Sequence, residues 1–488
     1  MDKPVEMFAR DYEWAELTRF VRYPGPEATL GVVSGRRRQG KTFLMDAICR
    51  AAGGFYFAAI EATEAESLHQ FGTALAHYLG EPAPRRFSRW DEAVDVLMTV
   101  ASGPTPVVID EFPYLVKASP QLPSLIQRAL GPQGQRAGSP VRLLLCGSAL
   151  SFMGSLLAGT APLRGRASLE LVVPTLDFRL AGEFWELADH ALALRVNAVV
   201  GGTPAYRREF TLGDAPQDMD DFGPWVIRNV LNPGRPLFRE ARFLLAEEPE
   251  LRDTALYHGV LSAIALGNHT RGGIAGYLGR KSTDLGHVLT VLEDVGMVAR
   301  EQDAFHGKRS AYRITEPILS FYHAIMRPEW TDLERPGYAA QVWERSQGTF
   351  RSKVLGPHFE HLARTWARWY ADERTLGGLR TRVGAGVLPD QANQTGHELD
   401  VVVFGRDDNG KEVILAIGEA KCGDVVGRGH LERLERLRDL LASRDDRARG
   451  SVRLLLFSAC GFMPQVVEAA RSRTDLELVD LGRLYQGS

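Results

Sequence analysis

The sequence predicts an α/β chain of several domains that opens on a parallel sheet covered by helices on both faces. Three observations lead there. Short apolar strands alternate with helix-length segments through residues 29–173, the pattern of a doubly covered parallel sheet. A glycine-containing octapeptide, GRRRQGKT at residues 35–42, stands between the first strand and the first long apolar helix. At 488 residues the chain exceeds one compact core and has room for roughly three domains.

The elements follow in order from apolar spacing. A helix is expected over 12–21, a strand over 29–34 and a helix over 41–50. Further strands are expected over 54–60, 106–110, 141–146 and 169–173, with helices over 64–79 and 90–100 between them. These make a first domain of residues 1–182. Residues 183–250 have helical spacing broken by GGTP (201–204) and NPGRP (232–236), and read as a helical lid. Residues 251–326 begin with three helical stretches, pass through a charged and polar segment at 300–310 and return in AYRI, the order of a winged helix. A proline-containing linker is expected over 327–337. The last domain, 345–488, shows a helix over 354–370, strands over 398–404 and 413–418, a charged helix over 431–443, a strand over 452–458 and a final helix.

Composition excludes several classes. Apolar residues are 44% and charged residues 24%, with Gly 49 and Pro 26, so the chain is neither collagen-like, wholly disordered nor a disulfide scaffold. A formal charge of −3 gives no blanket attraction to polyanions, so any nucleic-acid contact must come from a local patch. The four cysteines, Cys49, Cys146, Cys422 and Cys460, form no CxxC pair, which suits a reducing compartment. The charged start MDKPVEMFARDYEW has no apolar signal segment and no run reaches about 18 apolar residues, so a soluble, cytoplasmic protein without a membrane partner is expected. Only 8 of the 58 basic residues are lysine. Lysine positions are therefore informative.

GRRRQGKT fits the phosphate-binding P-loop pattern. Gly35, Arg36, Arg37, Arg38, Gln39, Gly40, Lys41 and Thr42 would wrap a triphosphate with backbone N–H groups at the positive end of the helix that begins at Lys41. Lys41 would neutralise the β and γ oxygens and Thr42 would ligate Mg²⁺. VVIDE, ending the strand at 106–110, supplies the acids: Asp110 for Mg²⁺ through water, and Glu111 as general base or, alternatively, as a cap of the next helix. Ser148, after the strand LLLCGS, reads as a γ-phosphate or water sensor or as a helix cap. In PLRGR, Arg164 and Arg166 are candidates for stabilising transition-state charge.

These motifs, with RDYEW at 10–14 and GGTPAY at 201–206, resemble the archaeal-type ATPases of the AAA+/STAND group, and the resemblance spans nearly the whole chain. It implies a P-loop NTPase parallel sheet with a helical lid, ATP and Mg²⁺ as cofactors, and Pro204 of the Gly-Gly-x-Pro element as a reporter of nucleotide state. RDYEW departs from that group's Arg-Glu-x-Glu-Leu box at Asp11 and Trp14. Whether an arginine acts within one chain or across a homo-oligomer stays open.

In the winged helix, residues 274–279 and 282–295 read as helix, turn, helix, with Ser282 or Thr283 as cap. Arg280, Lys281 and His287 would face DNA; the alternative is a module that only packs within the chain, which Asp284, Glu293 and Asp294 favour.

In the last domain Asp400 lies in ELDVVVF, and Glu419 and Lys421 lie in IGEAK. Antiparallel pairing of these strands would bring the three together, since Glu419 and Lys421 share a face. Two carboxylates can hold Mg²⁺ while an ammonium orients hydrolytic water. Lys41 and Lys421 both stand where the chemistry asks for an ammonium in an arginine-rich chain. The D…ExK arrangement resembles the PD-(D/E)xK nucleases, with similarity to Holliday-junction resolvases and Mrr-type restriction enzymes. That resemblance implies a restriction-endonuclease-like α/β fold, Glu360 as an accessory metal-binding acid, and DNA as partner; a relic that cuts nothing remains the alternative.

Overall fold

A computed structural model of the chain describes residues 1–101, 103–131, 138–248, 254–390, 393–448 and 450–488. It divides into two compact units, Met1–Thr175 and Leu176–Ser488. The expected division at 182/183 falls inside a helix, Phe178–Phe184. The expected division at 250/251 lies outside the described residues.

The first unit is built on β1 (Thr29–Ser34), β2 (Phe55–Ala58), β3 (Thr105–Asp110), β4 (Val141–Gly147) and β5 (Ala167–Val172). Their order across the sheet is β2-β3-β4-β1-β5 and all pairings are parallel. In β1, β3 and β4 adjacent residues serve opposite cores, which is why these strands read as continuous apolar runs, while the edge strand β5 buries mainly one side. Leu30, Val32, Val107, Ile109, Leu143 and Leu145 pack with Phe71 and Trp90 on one face. Val33, Val108, Leu144 and Cys146 pack with Leu44, Ile48, Trp14 and Leu17 on the other. The helix Lys41–Ala52 is bounded by Gly40 and Gly53, both in the left-handed region with φ 83° and 65°. The helix Glu64–Leu79 starts where Thr63 Oγ1 accepts a hydrogen bond from Glu66 N.

The second unit carries a helical segment, a hairpin and a mixed sheet. GGTP has a packing reason: Leu176 N donates to Gly202 O at 3.0 Å, and a Cβ on Gly202 would stand 1.8 Å from Leu176 O. The expected hairpin forms from β6 (Val298–Gln302) and β7 (Ser310–Ile314), antiparallel, so the segment read as merely charged and polar already holds a strand. The segment expected as a linker, 327–337, is mostly exposed and contains one packed turn of helix. Trp330 opens a short helix, Trp330–Leu333, and its ring stacks on Phe238 with centroids 4.6 Å apart.

The last sheet contains β8 (Arg380–Asp390), β9 (Thr395–Arg406), β10 (Glu412–Lys421), β11 (Arg453–Ser458) and β12 (Leu476–Val479), in the order β12-β11-β10-β9-β8. β8, β9 and β10 pair antiparallel, while β10, β11 and β12 pair parallel. β8 and β12 were not foreseen. RTRVGAGVLPD mixes small and charged residues and lacks clean alternation, and LELV is only 4 residues long. The helix Arg428–Arg444 lays Leu431, Leu434, Leu437 and Leu441 on one face of this sheet. Among the described residues no helix is long and apolar enough to cross a membrane.

Candidate functional site

Because β1 lies between β4 and β5, the loop that leaves it opens at the carboxyl edge of the sheet, the usual ligand crevice of such folds. Glycine is required twice in this loop. A Cβ on Gly35 would stand 2.5 Å from Val173 O, and Gly40 adopts φ 83° immediately before the helix. Arg38 also takes a left-handed conformation, φ 67°. Lys41 is 5% exposed and its Nζ donates to Arg36 O at 2.6 Å, closing the loop on itself. Burial pushes the Lys41 ammonium below its ordinary pKa, opposed by Cys146, Glu111 and Asp110. Arg37 Nη2 donates to the Tyr114 hydroxyl at 3.2 Å; Arg36 and Arg38 are half-buried. Gln39 is buried, and its carbonyl accepts a hydrogen bond from Arg10 Nη2 at 3.1 Å. The first residue of RDYEW thus braces the loop, while its Nη1 pairs with Glu13 at 3.1 Å.

Asp110, at the end of β3, is 2% exposed, near the charge of Lys41, and takes its hydrogen bonds from neutral donors. Its Oδ2 accepts from Thr42 Oγ1 at 2.9 Å and from the Tyr56 hydroxyl at 2.8 Å, and its Oδ1 accepts from Glu111 N at 2.9 Å. The Cys146 thiol also hydrogen-bonds Asp110, and burial, then Asp110's charge, pushes that thiol well above its ordinary pKa. Burial and the Asp110 charge likewise raise the Tyr56 phenol.

Glu111 sits at φ 51° in the left-handed region, a strained position for a non-glycine residue. It precedes the helix Phe112–Ala118 without capping it by its side chain. Both carboxylate oxygens instead lie 3.1 Å from Ser148 Oγ, which donates to them. Ser148 is buried and is not the cap of the next helix, whose N-cap is Ala149. The two side chains thus bond each other and cap neither helix, although Glu111 occupies the N-cap position of Phe112–Ala118. Arg166 is half-buried, and Arg164 is exposed with Nη1 donating to Gly159 O at 2.5 Å. Pro204 belongs to the second unit, directly after the glycine pair packed on Leu176.

Thr42 and Asp110 offer hard oxygen donors side by side at the loop mouth, which fits Mg²⁺, an ion that takes one or two protein ligands and completes its shell with water and phosphate. Among the described residues no three His, Cys, Asp or Glu side chains close a metal cage by themselves.

In the second unit the expected convergence occurs. Register Gly418↔Val401 between β10 and β9 sets Glu419 beside Asp400. Asp400 Oδ2 accepts from Ala420 N at 2.8 Å. Glu419 is 4% exposed in its side chain, with Lys421 Nζ at 2.8 Å from Oε1 and Arg433 Nη1 paired to Oε2. Glu360, on the helix Gly356–Trp369, has its carboxyl pushed up to about 7 by burial and by Asp400. Burial, with Glu419, also raises Asp400. Burial works to lower Lys421, but its bond to Glu419 outweighs that and raises it overall. Arg433 and Arg364, whose Nη1 donates to Asp400 O at 3.1 Å, were missed by sequence reasoning.

The segment read as a winged helix presents the three residues proposed to face DNA. Arg280, Lys281 and His287 are exposed. Residues Ser282–Leu285 form a 3₁₀ turn rather than the first turn of the helix, which runs Gly286–Asp294, so neither Ser282 nor Thr283 is its cap. Arg271 holds that turn through Ser282 O at 2.6 Å and Thr283 O at 3.2 Å. The wing packs on β8: Ala304 N donates to Ala385 O at 2.9 Å, and Val387 N donates to Asp303 at 3.1 Å.

No family model matches the chain. It is 27% identical over 402 residues to an uncharacterized protein of Methanocaldococcus jannaschii, covering 81% of this chain and 83% of the relative. Among solved structures it is similar to a Walker-type ATPase of Pyrococcus abyssi, with TM-score 0.49, 19% identity and coverage of 66% of this chain and 97% of that one. It is also similar to the Aeropyrum pernix ORC2 protein in ADPNP–ADP complexes, with TM-score 0.41, 14% identity and coverage of 71% and 97%.

Proposed function

We propose that the chain is an ATP-binding and ATP-hydrolysing switch of the AAA+/STAND type, coupled to a DNA-binding or Mg²⁺-dependent nuclease-like site in its second unit. The observation that carries the first half is the Thr42–Asp110 contact of 2.9 Å beside a glycine-enforced loop at a helix N-terminus. The loop amides and the helix end would receive phosphate oxygens. Lys41 would exchange its bond to Arg36 O for the β and γ oxygens. Mg²⁺, when bound, would neutralise charge on the transferred phosphoryl, held by Thr42 and, through water, Asp110. Glu111, once Ser148 turns its hydroxyl toward the γ-phosphate, would take the proton of the attacking water, a role that contributes about 10²–10⁴-fold. Arg166 supplies charge for the transition state. Adenine is assigned from the resemblance to archaeal-type ATPases.

In the second unit, Asp400 and Glu419 would hold Mg²⁺ with Glu360 as an accessory acid, the three forming no ready-made cage without the ion, and Lys421 would orient water against a phosphodiester. A second reading, an interaction module gated by nucleotide and without nuclease activity, is favoured by one observation: both Glu419 oxygens already hold cationic side chains. The experiment measures metal-dependent nicking beside ATP turnover for wild type, Lys41→Ala and Lys421→Ala. The first reading expects Lys41→Ala to lose turnover and Lys421→Ala to lose nicking alone. Turnover without nicking on linear, nicked, branched and single-stranded DNA, with Mg²⁺ or Mn²⁺, selects the second.

A further inference from the structure

Tyr56 stands where no motif placed a functional residue. β2 reads FYFA, and Phe55 and Phe57 turn into the core around Phe71 and Trp90. Tyr56 points the other way, packing its ring against the apolar group beneath the helix Lys41–Ala52. The parallel register pairs Ala58 with Asp110 and Tyr56 with Val108, so Tyr56 and Asp110 lie on the same face two residues apart along the strands. Its hydroxyl reaches Asp110 Oδ2 at 2.8 Å, the oxygen that also accepts Thr42 Oγ1 at 2.9 Å.

We propose that Tyr56 is a positioning residue for the magnesium–nucleotide complex, acting through Asp110. This rests on the reading of the first unit as a nucleotide site. A carboxylate that orders metal-bound water must present its oxygens in one rotation. Glu111 N holds Oδ1, Thr42 holds Oδ2, and the Cys146 thiol adds a weaker bond to the carboxylate. The Thr42 oxygen, however, is the atom that must also offer a lone pair to the cation, so its direction is set by two demands. A second donor with its own packed ring fixes Oδ2 independently of Thr42. The hydrogen bond is made to a charged acceptor in a nearly dry place, where such bonds are strongest. Tyr56 touches neither phosphate nor metal in this account.

The test compares wild type with Tyr56→Phe, which keeps the ring and removes one hydroxyl. Calorimetry with a non-hydrolysable ATP analogue is run across a Mg²⁺ series and in EDTA, with thermal melting of the nucleotide-free protein alongside. Expected is an about tenfold weaker affinity in Mg²⁺ and an about tenfold higher Mg²⁺ midpoint, the loss of roughly one charge-assisted hydrogen bond. Affinity in EDTA should stay at the wild-type value, and the melting temperature should fall only by the one hydrogen bond lost. An unchanged Mg²⁺ midpoint overturns the proposal. So does an equal loss with and without Mg²⁺, since that marks a residue that only supports the fold. Wild type that binds the analogue equally in Mg²⁺ and in EDTA overturns the proposal alone, whereas wild type that binds it in neither overturns the nucleotide reading itself, and the proposal with it.

Discussion

The two acid sites differ in what neutralises them. Asp110 and Glu111 are held by neutral donors: the hydroxyls of Thr42, Tyr56 and Ser148, the Cys146 thiol and a backbone amide. Glu419, in contrast, is flanked by the ammonium of Lys421 and the guanidinium of Arg433. A carboxylate fixed by neutral donors keeps its negative charge available to an incoming cation. One already in two ion pairs must give up a partner first, and removing that partner from a buried pair is costly. On the proposed reading, the first site suits a metal–nucleotide ligand, while in the second Lys421 and Arg433 would compete with a metal for Glu419.

The largest effect that would sharpen this contrast is expected in the first site. Glu111→Gln should lower ATP turnover about 10²–10⁴-fold while leaving nucleotide binding near wild type, since the base is lost but the phosphate cradle is not. Turnover and calorimetry on the same preparation check it, and turnover within twofold of wild type would remove Glu111 from the chemistry.

Next comes the competitor. In a Lys41→Ala background, which silences the first site, Arg433→Met should tighten Mn²⁺ binding by about tenfold, the release of one ion pair on Glu419. Titration followed by the Mn²⁺ EPR signal reads it. Weaker binding would show instead that Arg433 shapes the metal site.

The smallest effect is one of pH and stability. The carboxyl of Glu360 is raised to about 7 from an ordinary 4.5. Between those values the folded state keeps a proton that the unfolded chain has released, so this group costs stability as pH rises and contributes no penalty below 4.5. Glu360→Gln should melt with wild type at pH 4 and above it at pH 8, by an amount on the order of 3 kcal/mol. Equal melting at both values would place Glu360 outside the buried acid cluster.

What could be read from sequence follows the same division. Gly35, Gly40, Lys41 and Thr42 were legible because backbone geometry and phosphate chemistry dictate residue type at fixed spacing. Asp400, Glu419 and Lys421 were legible once antiparallel pairing was assumed, since residues two apart on β10 share a face. Tyr56 and Arg433 were not, because their contacts depend on register between segments and on which face of a helix meets the sheet. The pairing of Ser148 with Glu111 was equally hidden: each was seen singly, and only the adjacency of β3 and β4 joins them. The wing was legible as a return strand, but its docking on β8 was not, because β8 itself shows no alternation.

The most direct measurement is calorimetry of ATP with Mg²⁺ on wild type and Lys41→Ala. The account predicts saturable binding by wild type that is strengthened by Mg²⁺, and loss of that binding in Lys41→Ala at an unchanged melting temperature. Folded wild-type protein giving no heat with ATP and Mg²⁺, or Lys41→Ala binding as wild type does, would contradict it.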